Sequence, residues 1–218
     1  MSDASTHLAD RPRLNAALKQ RLIGWGIGAL CAAPAVWLIQ QLLNNQLGAN
    51  PVEALVRQSG VLALRLLLVS LLVTPAAKLL RQPGLIRHRR TIGLWAFAMV
   101  CMHLSSYLFI DKELDGSEIL KDIIKRPYIT IGMAAFLALV PLAITSLDAI
   151  RRKIGPRRWR RLHQAIYLIV PMGVLHYYLL VKADHRPPLI YGAIAALLLA
   201  WRAYGFIQTL RRRIATTA

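Results

Sequence analysis

Cysteine is almost absent: Cys31 and Cys101 are the two in 218 residues, and their spacing matches no metal motif. A disulfide framework, a zinc knuckle and an iron–sulfur site are thereby excluded. The two read instead as small apolar side chains within helices. Acidic residues are also scarce, 10 against 28 Lys and Arg, and charged residues make up only 17% of the chain. With 56% hydrophobic residues, that balance falls outside a soluble domain of this length. Also missing are a glycine-rich phosphate loop, a nucleophile–base pair and an internal repeat. The chain therefore lacks equipment for P-loop nucleotide binding or covalent catalysis.

Long apolar runs fill the space left by these absences. They fall at roughly 22–43, 60–80, 91–111, 128–147, 163–181 and 187–208. At ~1.5 Å per residue such runs match a hydrocarbon core of ~30 Å. Backbone groups in lipid must be satisfied internally, so the runs predict helices, and their length excludes the ~10-residue strands of an outer-membrane barrel. The expected fold is all-α: a polytopic six-helix transmembrane bundle over residues 21–210, in a bacterial inner (cytoplasmic) membrane. The tail 1–20 is expected to be flexible, basic and cytoplasmic, and 211–218 to form a second basic cytoplasmic tail. The first run is longer than a signal-peptide core and is read as an uncleaved helix.

A net charge of +18 would point to nucleic acid in a soluble protein, but its distribution points to lipid. Residues 1–21, 78–90, 148–161 and 202–213 carry 20 of the 28 Lys and Arg and only three acids, Asp3, Asp10 and Asp148. The remaining segments are nearly neutral. This is the positive-inside pattern, which places both termini and the loops 78–90 and 148–161 in the cytoplasm. Anionic headgroups are the expected partner of these basic patches, and no nucleic acid is.

Local signals refine the path. Gly24, Gly26 and Gly28 in the first helix offer close approach to a neighbour. Residues 44–59 read as a polar outer loop with a turn at Asn50-Pro51. Arg65, inside the second run, is expected to snorkel to the headgroups, or else to meet an acid or a cofactor carboxylate. A short amphipathic turn is expected around Ile119–Ile124, and a surface helix within 148–161.

Histidine carries the chemistry. His103 lies about 12 residues into the third run and His176 about 13 into the fifth, in helices that run the same way. Ionisable groups in lipid are functional candidates by default. Two imidazoles at one depth are what six-coordinate haem iron needs. Hydrogen-bonded packing histidines are the alternative. His163 precedes His176 by 13 residues, ~20 Å of rise but about 220° of rotation. A kink at Pro171 would re-phase it; otherwise it faces another helix or the interface. His88 is its available partner for a second site. His7 and His185 are expected to be solvated.

Several segments together resemble one family. Arg89-Arg90-Thr-Ile-Gly93-Leu-Trp95 leads to His103-Leu-Ser-Ser-Tyr107, and Arg126-Pro-Tyr128-Ile-Thr130-Ile-Gly132 follows. Trp159-Arg-Arg-Leu-His163-Gln-Ala-Ile-Tyr167, His176-Tyr177 and Pro188-Leu-Ile-Tyr191-Gly192 complete the set. In this order they resemble the MsrQ (YedZ) family of ferric-reductase-like transmembrane proteins over roughly residues 20–210. The resemblance implies a haem b subunit of a protein-methionine-sulfoxide reductase system, with one or two haems and FMN. It implies a periplasmic molybdopterin enzyme, MsrP, as electron acceptor, and the quinone pool or a cytosolic flavin reductase as donor. It places haem on His103, His163 and His176: His103 and His176 as axial iron ligands, His163 as a further candidate ligand. No catalytic residue is implied, since sulfoxide reduction falls to the partner. The competing reading is a proton-coupled or small-solute transporter using the intramembrane histidines; broken helices and repeated halves, which would favour it, are not evident.

Overall fold

The computed structural model describes residues 11–217, and all of its regular structure is helical. Helix α1 spans Arg11–Leu43, α2 Pro51–Leu79, α3 Arg89–Ser105, α4 Gly116–Lys125 and α5 Pro127–Ile144. Helices α6 (Asp148–Ile154), α7 (Pro156–His163), α8 (Ile166–Leu180) and α9 (Arg186–Thr217) complete the chain. A 3₁₀ turn, Pro83–His88, leads into α3, and a π-helical turn, Ser106–Asp111, extends it.

Five helical segments are long and apolar enough to cross a membrane: 18–43, 51–79, 83–111, 127–144 and 186–209. The fifth expected run, 163–181, differs. Its helix α8 has 15 residues, ~22 Å of rise, and the chain turns at Gln164 and Ala165 before it. The large apolar side chains left uncovered, such as Trp25 at 79% and Leu30 at 74% exposure, belong to the lipid rather than to water.

Boundaries follow capping chemistry. Residues 51–59, read from sequence as loop, are the first turns of α2. The Asn50 side chain accepts from the Glu53 backbone N–H at 3.2 Å, and Pro51 takes the first helical position. Asp115 caps α4 in the same way, accepting from Ser117 N at 2.8 Å and Glu118 N at 3.2 Å. Gly155, at φ +80°, turns the chain between α6 and α7, a conformation open to glycine with little strain. The expected tails fare differently: residues 1–10 lie outside the described residues, while 11–20 and 211–217 are helical. Of the first-helix glycines, Gly28 alone meets a neighbour, with Trp95 Nε1 3.7 Å from where a Cβ would sit.

Helices α2, α3, α5 and α8 form the centre: α2 packs along α3, α5 along α8, and α3 meets α5 as α2 meets α8. Helix α1 covers α2 and α3 from outside, and α9 covers α2 and α8. The main apolar core draws on α2, α3, α5, α8 and α9, with Leu71 and Val170 fully buried. One polar tie crosses this core. Pro75 has no N–H, so the Leu71 carbonyl loses its helical donor. Arg202 of α9 supplies one instead, Nη2 to Leu71 O at 2.5 Å, with its guanidinium 5.6 Å from the Tyr167 ring centre.

Beyond the end of α3, Asp122 of α4 is 7% exposed and gathers three partners. Tyr107 Oη donates to it at 3.2 Å, and Lys112 Nζ and Arg126 Nε lie at 3.3 and 3.1 Å. The amphipathic turn expected near Ile119–Ile124 is thus a capped helix fastened beside the end of α3.

Candidate haem-binding site

His103 on α3 and His176 on α8 face one another across the centre of the bundle. Their ring centres are 6.1 Å apart and their planes cross at 82°. Both side chains are half-buried.

The same support holds each ring. His103 Nδ1 lies 2.7 Å from the Val56 carbonyl of α2, and His176 Nδ1 lies 2.6 Å from the Tyr128 carbonyl of α5. A carbonyl oxygen only accepts, so each Nδ1 carries the proton, and each Nε2 is left as an unprotonated donor for a metal. Both rings lie against glycine. A Cβ at Gly60 would meet the His103 ring at 3.0 Å, and one at Gly132 would meet the His176 ring at 2.7 Å. Ser59, fully buried beside Gly60, donates its hydroxyl back to the Leu55 and Val56 carbonyls at 2.7 and 3.0 Å.

These residues fit a haem. Two imidazole nitrogens bound to one iron at ~2 Å each need ring centres roughly 6 Å apart, which is the separation seen. The donor set agrees, because a porphyrin brings its own four nitrogens and asks the protein for two. No cluster of three or more His, Cys, Asp or Glu exists among the described residues, so a protein-only metal cage has no ligand set there.

His163 does not join this pair. It ends α7, stacks on Trp159 at 3.9 Å, and places Nδ1 3.0 Å from the Trp159 carbonyl. Its Nε2 faces Ser146 Oγ at 3.4 Å, and Trp159 Nε1 donates to Thr145 O at 3.0 Å. The break that re-phases it from His176 is the turn at Gln164–Ala165, not Pro171, which lies inside a continuous α8. His88 is buried at the end of the 3₁₀ turn, and no ring contact joins it to His163 among the described residues.

Other side chains also find definite partners. Arg65 pairs with no acid among the described residues: its Nε donates to Tyr191 Oη at 2.8 Å, with the guanidinium 5.9 Å from that ring centre. His185 is not simply solvated; it leans on Tyr178 at 4.8 Å, and its Nδ1 is buried without a partner. His7 lies outside the described residues. Gly60, Gly132 and the carbonyls of Val56 and Tyr128 had no sequence signal of their own, although Gly132 stood inside a quoted motif.

Two facing histidines inside an apolar helical bundle are an arrangement that suits a membrane redox protein. Residues 59–174 match the family described as ferric reductase like transmembrane component. Three relatives bear the name protein-methionine-sulfoxide reductase heme-binding subunit MsrQ. The Caulobacter vibrioides protein is 50% identical over 187 residues, 86% of this chain and 89% of its own length. The Rhodospirillum rubrum protein is 45% identical over 195 residues, covering 89% and 92%. The Polaromonas naphthalenivorans protein is 42% identical over 191 residues, covering 87% of each. No solved structure matches. The chain belongs to the MsrQ family of ferric-reductase-like transmembrane proteins.

Proposed function

We propose that this chain is the haem b-binding membrane subunit of a protein-methionine-sulfoxide reductase system. It carries electrons across the inner membrane to a periplasmic molybdopterin reductase, MsrP. The observation that carries this reading is the facing pair His103 and His176, 6.1 Å apart with both Nδ1 atoms engaged by backbone carbonyls. In this proposal these two side chains would hold the haem through their Nε2 atoms. Haem supplies a one-electron centre within a barrier that charge does not otherwise cross. The protein supplies the rest: carbonyls that fix the imidazole tautomers, helices that exclude water, and an apolar core that lowers the local dielectric.

Depth explains the need for a donor-side element. His163 ends α7, whereas His176 lies ten residues into α8, beyond the turn at Gln164–Ala165. A second haem on His163, with His88 as its partner, or a bound FMN, would divide that gap. The setting of His163 supports such a role, since its Nδ1 is held by the Trp159 carbonyl as the other two imidazoles are held by theirs. The quinone pool or a cytosolic flavin reductase then feeds the inner end. Sulfoxide chemistry belongs to the partner, and this chain is an electron-transfer subunit with no catalytic residue of its own.

The test is the visible spectrum and cofactor content of the purified protein. A reduced b-type Soret and α-band, lost in His103→Ala and in His176→Ala, supports the reading. A colourless wild-type protein that still sustains sulfoxide reduction by the periplasmic partner defeats it.

A further inference from the structure

The two histidines are held by one structural unit that occurs twice. In the first, the Val56 carbonyl on α2 receives His103, 47 positions later, while Gly60 lies under the ring. In the second, the Tyr128 carbonyl on α5 receives His176, 48 positions later, while Gly132 lies under the ring. In both, the glycine follows the accepting carbonyl by four residues, one helical turn further along the same face. Carbonyl and glycine thus form a small platform: one atom bonds the ring edge, and the absent side chain lets the ring face approach the backbone.

We infer that Gly60 and Gly132 are positioning residues that set the height and rotation of the two axial imidazoles. The inference rests on the ligand reading above. Its physical content is that each ring has no room to give. A core side chain ordinarily yields to an added methyl by changing rotamer. Here the ring would be held at Nδ1 by a carbonyl and at Nε2 by iron, so an added Cβ must turn it or push it off the metal. The strain should differ between halves, because 2.7 Å at Gly132 forbids the methyl while 3.0 Å at Gly60 is merely tight. The perpendicular setting of the rings, 82° between planes, is the quantity such a push would disturb.

Helical glycines with ordinary space serve as controls. A Cβ at Gly173, on the helix of His176, would lie 3.7 Å from Leu64 Cδ1. One at Gly93, on the helix of His103, would lie 3.8 Å from Ser70 Oγ. Glycine-to-alanine at these sites should favour helix slightly and leave the pair alone.

The experiment compares Gly132→Ala, Gly60→Ala, Gly173→Ala and Gly93→Ala in the full chain. Readouts are haem retained through purification, the low-spin electron paramagnetic resonance signal, and the midpoint potential. Expected is a loss of haem affinity of about tenfold or more in Gly132→Ala, the scale on which outer partners of metal ligands act. Gly60→Ala should show a smaller loss with a shifted resonance signal and potential, and the two controls should match wild type. Retention, resonance signal and potential that are unchanged in both Gly132→Ala and Gly60→Ala overturn the proposal. Thermal unfolding of haem-free protein covers the case of a poorly folding variant. If the haem-free variants are destabilised as much as the loaded ones, the glycines serve general packing and the proposal fails. Failure of the ligand reading looks different: there His103→Ala and His176→Ala would keep the haem.

Discussion

Toward the end of the bundle expected to face outward, His103 and His176 look across at each other from different helices, each braced by a carbonyl from a third or fourth helix. At the inner end, His163 lies flat on Trp159 within its own helix and reaches Ser146 at the end of α5. The outer histidines meet at matched depth, with ring centres 6.1 Å apart, the spacing that the proposed shared haem asks for. The inner one keeps the same tautomer but is braced by the residue one turn before it, so its position is set locally. Four helices fix the first arrangement, and a short helix with a tryptophan fixes the second. Depth and opposed direction, rather than the presence of histidine, separate a ready two-ligand site from a half-built one.

The sharpest way to break this contrast is to remove ligands. His103→Ala or His176→Ala should lower haem affinity by more than ~100-fold, beyond the loss expected from an outer partner, read as loss of the reduced b-type bands. His163→Ala should leave the spectrum of the outer pair intact and remove at most about half of the bound haem, the share of a second site. Loss as complete as in His176→Ala would erase the distinction between the two ends.

Smaller effects test how the inner end is assembled. Arg202→Met should destabilise the bundle by about 1–3 kcal/mol, because the Leu71 carbonyl would then lack a donor. Pro75→Ala restores a backbone N–H to that carbonyl, so in the Pro75→Ala background the same change should cost clearly less. Chemical unfolding in detergent of the four proteins gives the coupling directly. Equal costs in both backgrounds would remove the link between proline and arginine.

The smallest effect concerns Asp148. Arg90 holds its carboxyl below the usual range, through bonds at 2.6 and 3.0 Å. A folded-state value below the unfolded one stabilises above the unfolded value, near pH 4, and is lost as pH falls through the folded one. The pair is exposed, so the gain is slight. Unfolding profiles of wild type and Asp148→Asn should therefore differ a little at neutral pH and converge in acid; a difference that grows in acid contradicts the assignment.

Much of this was legible in the amino-acid sequence. Apolar run length marked five of the membrane-length helices, and counting residues along the third and fifth runs matched the level of His103 and His176, whose rings meet. What escaped depends on relations between helices. Gly60 and Gly132 look like any helical glycine until the imidazole that fills the gap is in place. The partner of Arg65 is Tyr191, 126 positions away, and no periodicity reports such a contact. Glu53, Arg57, Gln58 and Ser59 give the segment before the second apolar run the look of a loop, although Asn50-Pro51 is equally a helix start. The rotation expected for His163 holds for one continuous helix, and two turn residues remove that premise.

The tie between Arg202 and the Leu71 carbonyl bears on how the molecule is made. The two residues are separated by 131 positions, and α2 enters the bilayer with an open acceptor long before its donor is translated. During that interval the nascent chain has to satisfy the acceptor with water or with the insertion machinery. Only when α9 arrives does that acceptor gain its donor, so the packing of α2 is completed by a helix made long after it.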